Sequence, residues 1–271
     1  MTALAAVDAW PVPHPGVVVL RPGGPPVTRG QTDRPLDIAS VSKLLTTYAL
    51  LIAVEEGAVE LDDPAGPPGS TLRHLMAHTS GYGFESGAQG VAAPGTRRIY
   101  SNRGIEEAAA LLERAAGMPF VTYLDEAVLR PLGLAGTDPS GSPAFGYSST
   151  VDDLATFAAE LLSPTLLAEQ TVLEAVTVQF PGLAGIVPGV GRFDPCDWGL
   201  GFERNFSRPG HWAGQAVSPG TAGHFGGAGS FLWVDRARGL ACVCLTGREF
   251  GPWALQAWPP LCDAVVAEFG G

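Results

Sequence analysis

The chain is poor in charge: only 16% of its 271 residues are Asp, Glu, Lys or Arg. What charge there is runs acidic, to a formal net of -11. The broad basic surface that draws nucleic acid or an anionic membrane is therefore missing, and neither is expected as a partner. Apolar residues make up 46% of the chain, yet no apolar run is long enough to span a bilayer. The longest, Val41 to Val54, falls short of that length and carries Ser42 and Lys43. Between Met1 and Pro15 there is no Lys or Arg, and prolines at 11, 13 and 15 interrupt any apolar segment. A secretory leader needs both features, so a cytoplasmic protein is expected. Cysteine is scarce too. Cys196, Cys242, Cys244 and Cys262 include no pair with CxxC spacing, and Cys242 and Cys244 share one face of a strand-like run, where they cannot easily bridge. Four reduced structural thiols are the expectation.

What is present reads as a strand, a buried helix, a helical middle, antiparallel strands and a final helix. Gly16 to Leu20 is a short apolar run between Gly/Pro clusters, as in a buried strand. Asp37 is placed to cap a helix from about Ser40 to Glu56, with Gly57 as its stop. That helix is apolar nearly all round and belongs inside a domain. Further helices are expected over Leu72 to His78, Gly104 to Ala115, Phe120 to Leu129 and Val151 to Leu162, the last capped from Ser148, Ser149 or Thr150. Strands are expected at Trp198 to Phe202, Gly229 to Val234 and Leu240 to Leu245, then a helix from Pro260 through Phe269. The implied division is a sheet-containing lobe from 1–61 and 197–271, with a mainly helical lobe from 62–196.

Three short segments carry chemistry. In Ser40-Val-Ser-Lys43 the i, i+3 spacing puts Ser40 and Lys43 on one helical face, with Ser40 at the N-terminus where developing negative charge is favoured. A Lys in apolar surroundings sheds its proton more readily than one in water, which is what an activated serine needs. Tyr100-Ser-Asn102 offers a proton shuttle and an amide that orients a Lys or a substrate. His224-Phe-Gly-Gly-Ala-Gly229 opens a strand whose glycines allow a ligand or backbone close, and whose edge can present an N–H to an oxyanion. Each has a plainer reading alone: Ser40 as a cap, Tyr100 and Asn102 as loop residues, the glycines as a hairpin approach. His74 and His78, four apart, lack the Glu of H-E-x-x-H and a third ligand, so no metal and no cofactor is expected.

Together, in this order, the three segments resemble the S-x-x-K serine hydrolases, and most closely the class C β-lactamase-like branch. Ile38-Ala-Ser-Val-Ser-Lys43, Leu75-Met-Ala-His-Thr-Ser-Gly81, Pro94-Gly-Thr, Tyr100-Ser-Asn-Arg-Gly104, Trp198-Gly-Leu-Gly-Phe202 and Gly223-His-Phe-Gly226 carry the resemblance. It implies an α+β, β-lactamase/transpeptidase-like fold, an antiparallel sheet flanked by helices with a helical insertion lobe. It also implies that Ser40 forms an acyl-enzyme, that Lys43 and Tyr100 share the acid–base work, and that Asn102 orients Lys43 or the substrate. His224 would supply a hydrogen bond and a charge near Tyr100. The backbone N–H groups of Ser40 and Gly227, the latter following Gly226, would hold the oxyanion.

The chain is short for this family, and Phe225 stands where many relatives carry Thr, Ser or Gly. A phenyl ring there would cover polar floor that otherwise holds a substrate carboxylate. The expected activity is hydrolysis of a small ester or amide, esterase-like. β-Lactamase or D-amino-acid peptidase activity is the alternative, and a catalytically silent binding protein with this fold is an alternative of another class.

Overall fold

The computed structural model of the chain describes residues 2–85 and 90–271. Strand β1 (Gly16–Leu20) matches the apolar run read from sequence, and β2 (Val27–Gly30) returns beside it. After the short β3 (Leu36–Asp37) comes a 3-10 turn, Ala39–Val41, and then α1 (Ser42–Glu55). The helix thus begins two residues later than expected. Asp37 does not cap it; the Ser42 hydroxyl donates to the Ala39 carbonyl at 2.6 Å instead, and this tightens the turn that carries Ser40. Almost every side chain of α1 is buried, as its all-round apolar pattern demands.

The middle of the chain holds α2 (Leu72–Met76), β4 (Arg98–Ile99), α3 (Asn102–Ala116) and α4 (Phe120–Leu124). The last runs through a π-helical stretch, Asp125–Leu129, into α5 (Arg130–Leu132). Then follow β5 (Ser148–Ser149), α6 (Val151–Leu162), capped by the Thr150 side chain, and α7 (Glu169–Ala175). Strands β6 (Gly185–Val187) and β7 (Gly191–Phe193) form a hairpin that joins β4 in a small three-stranded sheet.

The main sheet is completed late, by β8 (Ala222–Gly226), β9 (Ser230–Asp235) and β10 (Leu240–Leu245). Its order is β2-β1-β10-β9-β8, antiparallel throughout, which leaves β8 at an edge. Side-chain alternation splits the core in two. Val18, Leu232 and Val243 face α1 and α6, whereas Val17, Val19, Trp233, Cys242 and Cys244 face the C-terminal helix α8 (Pro252–Phe269). Both faces are covered, so β10 is buried along its whole length and reads as a continuous apolar run. All four cysteines are free and buried.

Three expectations are corrected. Trp198 to Phe202 is no strand: it makes only an isolated bridge, Trp198 to Glu203. Gly201, at φ 77°, lies so close to α1 that a Cβ would fall 1.9 Å from Thr47 Oγ1, so it marks a loop pressed on that helix. His224 does not open the strand that reaches Val234; it lies inside a separate strand, β8, and Gly227 to Gly229 form the turn into β9. Finally, α8 starts at Pro252 rather than near Pro260, and Pro259 and Pro260 lie in its interior. Burial of Trp258, Leu261 and Val265 holds a helix that two missing backbone donors would otherwise break.

Candidate active site

Ser40 sits between two elements rather than on a helix proper. Ala39 before it adopts φ 44°, a left-handed conformation that a residue with a Cβ rarely takes. The turn is fastened on the other side by Ser230, whose hydroxyl donates to the Ile38 carbonyl at 2.7 Å. Gly226 at the end of β8 meets the same carbonyl so closely that a Cβ would fall 2.2 Å from its oxygen. The close approach brings Gly227 to the cavity that Ser40 lines. The Gly227 carbonyl is turned away, accepting from the Phe250 N–H at 2.8 Å.

Lys43 is the single lysine of the chain and is fully buried. Its Nζ lies 3.2 Å from Ser40 Oγ, 2.8 Å from Asn102 Oδ1 and 2.6 Å from the Ala144 carbonyl oxygen. Three acceptors match the three N–H bonds of an ammonium. A neutral amine keeps two N–H bonds for the two carbonyl oxygens, and its lone pair then faces the Ser40 hydroxyl. Burial drives Lys43 well below the ordinary lysine range, against a smaller upward pull from the Glu106 carboxylate.

The ring of Tyr100 lies beside Lys43, with Nζ 4.8 Å from its centroid. Its hydroxyl is 3.3 Å from His224 Nε2. His224 Nδ1 lies 2.6 Å from the Phe225 carbonyl oxygen, which can only accept, so Nδ1 carries the proton and Nε2 receives the Tyr100 O–H. When Lys43 is charged and donates to Ser40 Oγ, the Ser40 proton goes to the Tyr100 oxygen, its other hydrogen-bond partner; when Lys43 is neutral, that proton turns to Nζ. Burial, helped by the charge of Lys43, lowers His224 to about 3. The ring is therefore neutral at ordinary pH, and the expected charge beside Tyr100 is absent. Burial also raises the Tyr100 phenol above its usual value, with the Ser40 hydrogen bond pulling the other way.

Further side chains complete the site. His78, at φ 57°, accepts the Ser101 N–H on Nδ1 at 3.2 Å and packs between Tyr100 and Trp198. It lies past the end of α2, whereas His74 turns to Thr71 and Phe180, so the two histidines do not converge. Among the described residues no group of His, Cys, Asp and Glu is placed to hold a metal. Behind His224 lies Glu203, fully buried, joined to Gly223 by backbone pairing. Its carboxylate accepts from Trp212 Nε1 at 2.9 Å, from His211 Nε2 at 3.2 Å and from Asn205 Nδ2 at 3.3 Å. Ser40, Tyr100, Trp198, His224, Phe225 and Phe250 line a cavity of about 170 Å³. Past Phe84 and Pro188 it adjoins a wider groove of about 730 Å³. Phe225 packs on Phe250, Trp212 and Trp258 and still reaches the cavity wall.

A family model described as Beta-lactamase matches residues 8–263. The chain belongs to the beta-lactamase family. A solved structure of a beta-lactamase from Mycobacterium bovis is 50% identical over the whole of both chains, with a TM-score of 0.96. The D-alanyl-D-alanine-carboxypeptidase/endopeptidase AmpH of Escherichia coli is 31% identical over 159 residues, 45% of this chain and 41% of its own length. Monacolin J acid methylbutanoyltransferase of Aspergillus terreus is 32% identical over 156 residues, 38% of each chain. The chain thus matches only about two fifths of the length of these curated family relatives. No helix among the described residues is long and apolar enough to cross a membrane.

Proposed function

We propose that this family member is a serine hydrolase that cleaves small esters or amides through an acyl-enzyme on Ser40. One observation carries the reading: the buried amine of Lys43 lies 3.2 Å from Ser40 Oγ, with its remaining hydrogen-bonding capacity taken by Asn102 and Ala144. Neutral Lys43 takes the Ser40 proton as Oγ bonds to the substrate carbonyl carbon. The oxyanion faces the backbone N–H groups of Ser40 and Gly227. As the bond to the leaving group breaks, the Tyr100 phenol protonates the leaving oxygen or nitrogen, and the Lys43 ammonium returns a proton to the phenolate. Water then releases the acyl group by the reverse sequence, restoring Ser40. With a pKa of about 3, His224 is a poor proton acceptor. Its part is to aim the Tyr100 hydroxyl.

The esterase-like preference rests on the cavity. At about 170 Å³ it is smaller than the ~300–1,000 Å³ of drug-sized sites, and its walls are mostly aromatic, which suits a short uncharged acyl group. Intact-protein mass spectrometry with a fluorophosphonate or p-nitrophenyl acetate should show one adduct, lost in Ser40→Ala. An adduct that persists in that variant refutes the assignment. A wild type that forms no adduct and turns over no ester, peptide or β-lactam would instead mark a silent binding protein.

A further inference from the structure

Arg97 immediately precedes β4 and Arg98 opens it, and the two differ in burial: Arg98 is enclosed and Arg97 exposed. Arg98 is buried and donates to the carbonyl oxygens of Ala77, Gln179, Phe180 and Cys196, a structural role that engages all three of its guanidinium nitrogens. Arg97 engages no carboxylate among the described residues. Beside it the small sheet builds a row. Ile99, two residues on, pairs with Ile186 of β6, and Ile186 stands opposite Arg192 of β7. Arg97, Ile99, Ile186 and Arg192 all line the 730 Å³ groove that shares Phe84, Tyr100 and Pro188 with the Ser40 cavity.

The charge of this groove runs against that of the molecule. Acidic residues outnumber basic ones 27 to 16 in the chain, yet the groove lining contains arginines and no acid. Arg192 has one partner, Asp194 at 3.7 Å, and both are exposed, so that pair is weak and easily exchanged. The same groove carries unusually bare apolar groups: Ile186, next to Arg192 in the row, is 63% exposed, and Phe84, at the mouth of the Ser40 cavity, 42%. Two cations and an apolar strip beside a nucleophile fit an amphipathic substrate with an anionic end.

We propose that Arg97 and Arg192 form a subsite for a carboxylate at the distal end of the ester or amide attacked by Ser40, an inference that rests on the hydrolase reading above. The apolar strip takes the chain between the scissile carbonyl and that carboxylate. The carboxylate does not meet Phe225, which walls the inner cavity.

Two substrate pairs test the subsite. One is 4-nitrophenyl hydrogen adipate against 4-nitrophenyl methyl adipate, with the charge on the acyl side. The other is 4-acetoxybenzoate against its methyl ester, with the charge on the leaving group. In at least one pair the ratio of kcat/KM, charged over neutral, should exceed one. It should fall about tenfold in Arg97→Gln and in Arg192→Gln, the scale of one hydrogen bond to a charged group. Ratios that neither substitution changes overturn the proposal. A readout independent of turnover is binding of 6-phenylhexanoate and 6-phenylhexanamide to Ser40→Ala, measured by calorimetry. The carboxylate should bind about tenfold tighter, with the advantage lost on adding Arg97→Gln and reduced by salt. Equal affinities overturn the subsite whatever the turnover shows. Failure to turn over any neutral ester, with the binding preference intact, would remove the hydrolase reading and leave the anion site standing.

Discussion

An ammonium with little water around it holds its proton poorly, and at the residue scale the proposed chemistry turns on this property of Lys43. A lysine with a lowered folded pKa costs stability wherever it must charge. Stability should therefore rise with pH between the folded midpoint and the unfolded value near 10.4, then level off. Because the chain has one lysine, biosynthetic 15N-lysine labelling gives a single Nζ signal. Its titration midpoint is expected below 10.5, and ester turnover should rise through the same midpoint; a midpoint at or above 10.5 would sink Lys43 as the neutral base. Phe225 sets the second expectation. A β-lactam carboxylate facing its ring loses water without gaining a partner, which costs about 1–3 kcal/mol, or roughly 5- to 150-fold. p-Nitrophenyl butyrate should thus be cleaved far better than nitrocefin, and Phe225→Thr should narrow the gap; efficient nitrocefin hydrolysis by the wild type refutes this. Ser40 and Lys43 were legible because i, i+3 spacing survives the change from α-helix to 3-10 turn. The Ala144 acceptor was not, since a backbone carbonyl leaves no signature in the residue that carries it. The neutral state of His224 also escaped the sequence, because burial and the proximity of Lys43 are tertiary facts.

Among the elements, β8 does the positioning. Its last residue is pressed against the turn that bears Ser40, so Gly226→Ala must push the strand away from Ile38. Overpacking of this kind costs about 1–3 kcal/mol. Gly227 should move with the strand, and turnover per folded molecule should fall as well as Tm. Unchanged turnover and Tm would show that the strand is not held there. Elements with a strong pattern were read well: β1, α6 and β10 appear where their apolar runs, caps and bounding turns placed them. β8 was harder because three of its five residues, Ala222, Gly223 and Gly226, are alanine or glycine, with no apolar alternation to mark it. The start of α8 was hidden by the opposite fault, a strong local signal that was wrong. Pro259 and Pro260 look like a helix beginning, and only packing against the sheet lets the helix run through them.

For the whole molecule, the site is a seam between the two cores, and the seam is built from buried ionisable groups that respond to acid alike. His224 and His78 resist protonation when folded, because burial and the Lys43 charge oppose it. Unfolded histidines take protons near 6.5, so these two weaken the fold as pH drops below that value, for His224 down to about 3. Glu203 acts in the same direction at lower pH. Burial pushes its carboxyl up, but the charge of His211, together with the His211 and Trp212 hydrogen bonds, outweighs it and holds the group below the usual range. Its contribution is present above the unfolded value near 4.3 and fades as pH falls through the folded one. Urea unfolding should give lower stability at pH 5 than at pH 8, with His224→Gln reducing the difference. Glu203→Ala should cost about 3–5 kcal/mol at neutral pH. Equal stability of the wild type at pH 5 and pH 8 would contradict the arrangement.

The burial of the chain's one lysine also decides what kind of cation the exterior can offer. Every other basic side chain except histidine is a guanidinium, which does not form a stable amide with an activated ester. Most enzymes handled with acyl donors accumulate stray amides on surface amines, and those blur any count of turnover intermediates. This chain has no surface amine on a side chain to modify. N-hydroxysuccinimide reagents would therefore leave no amide on an exposed lysine of this chain, so an acyl group they place on a side chain would point to the Ser40 hydroxyl.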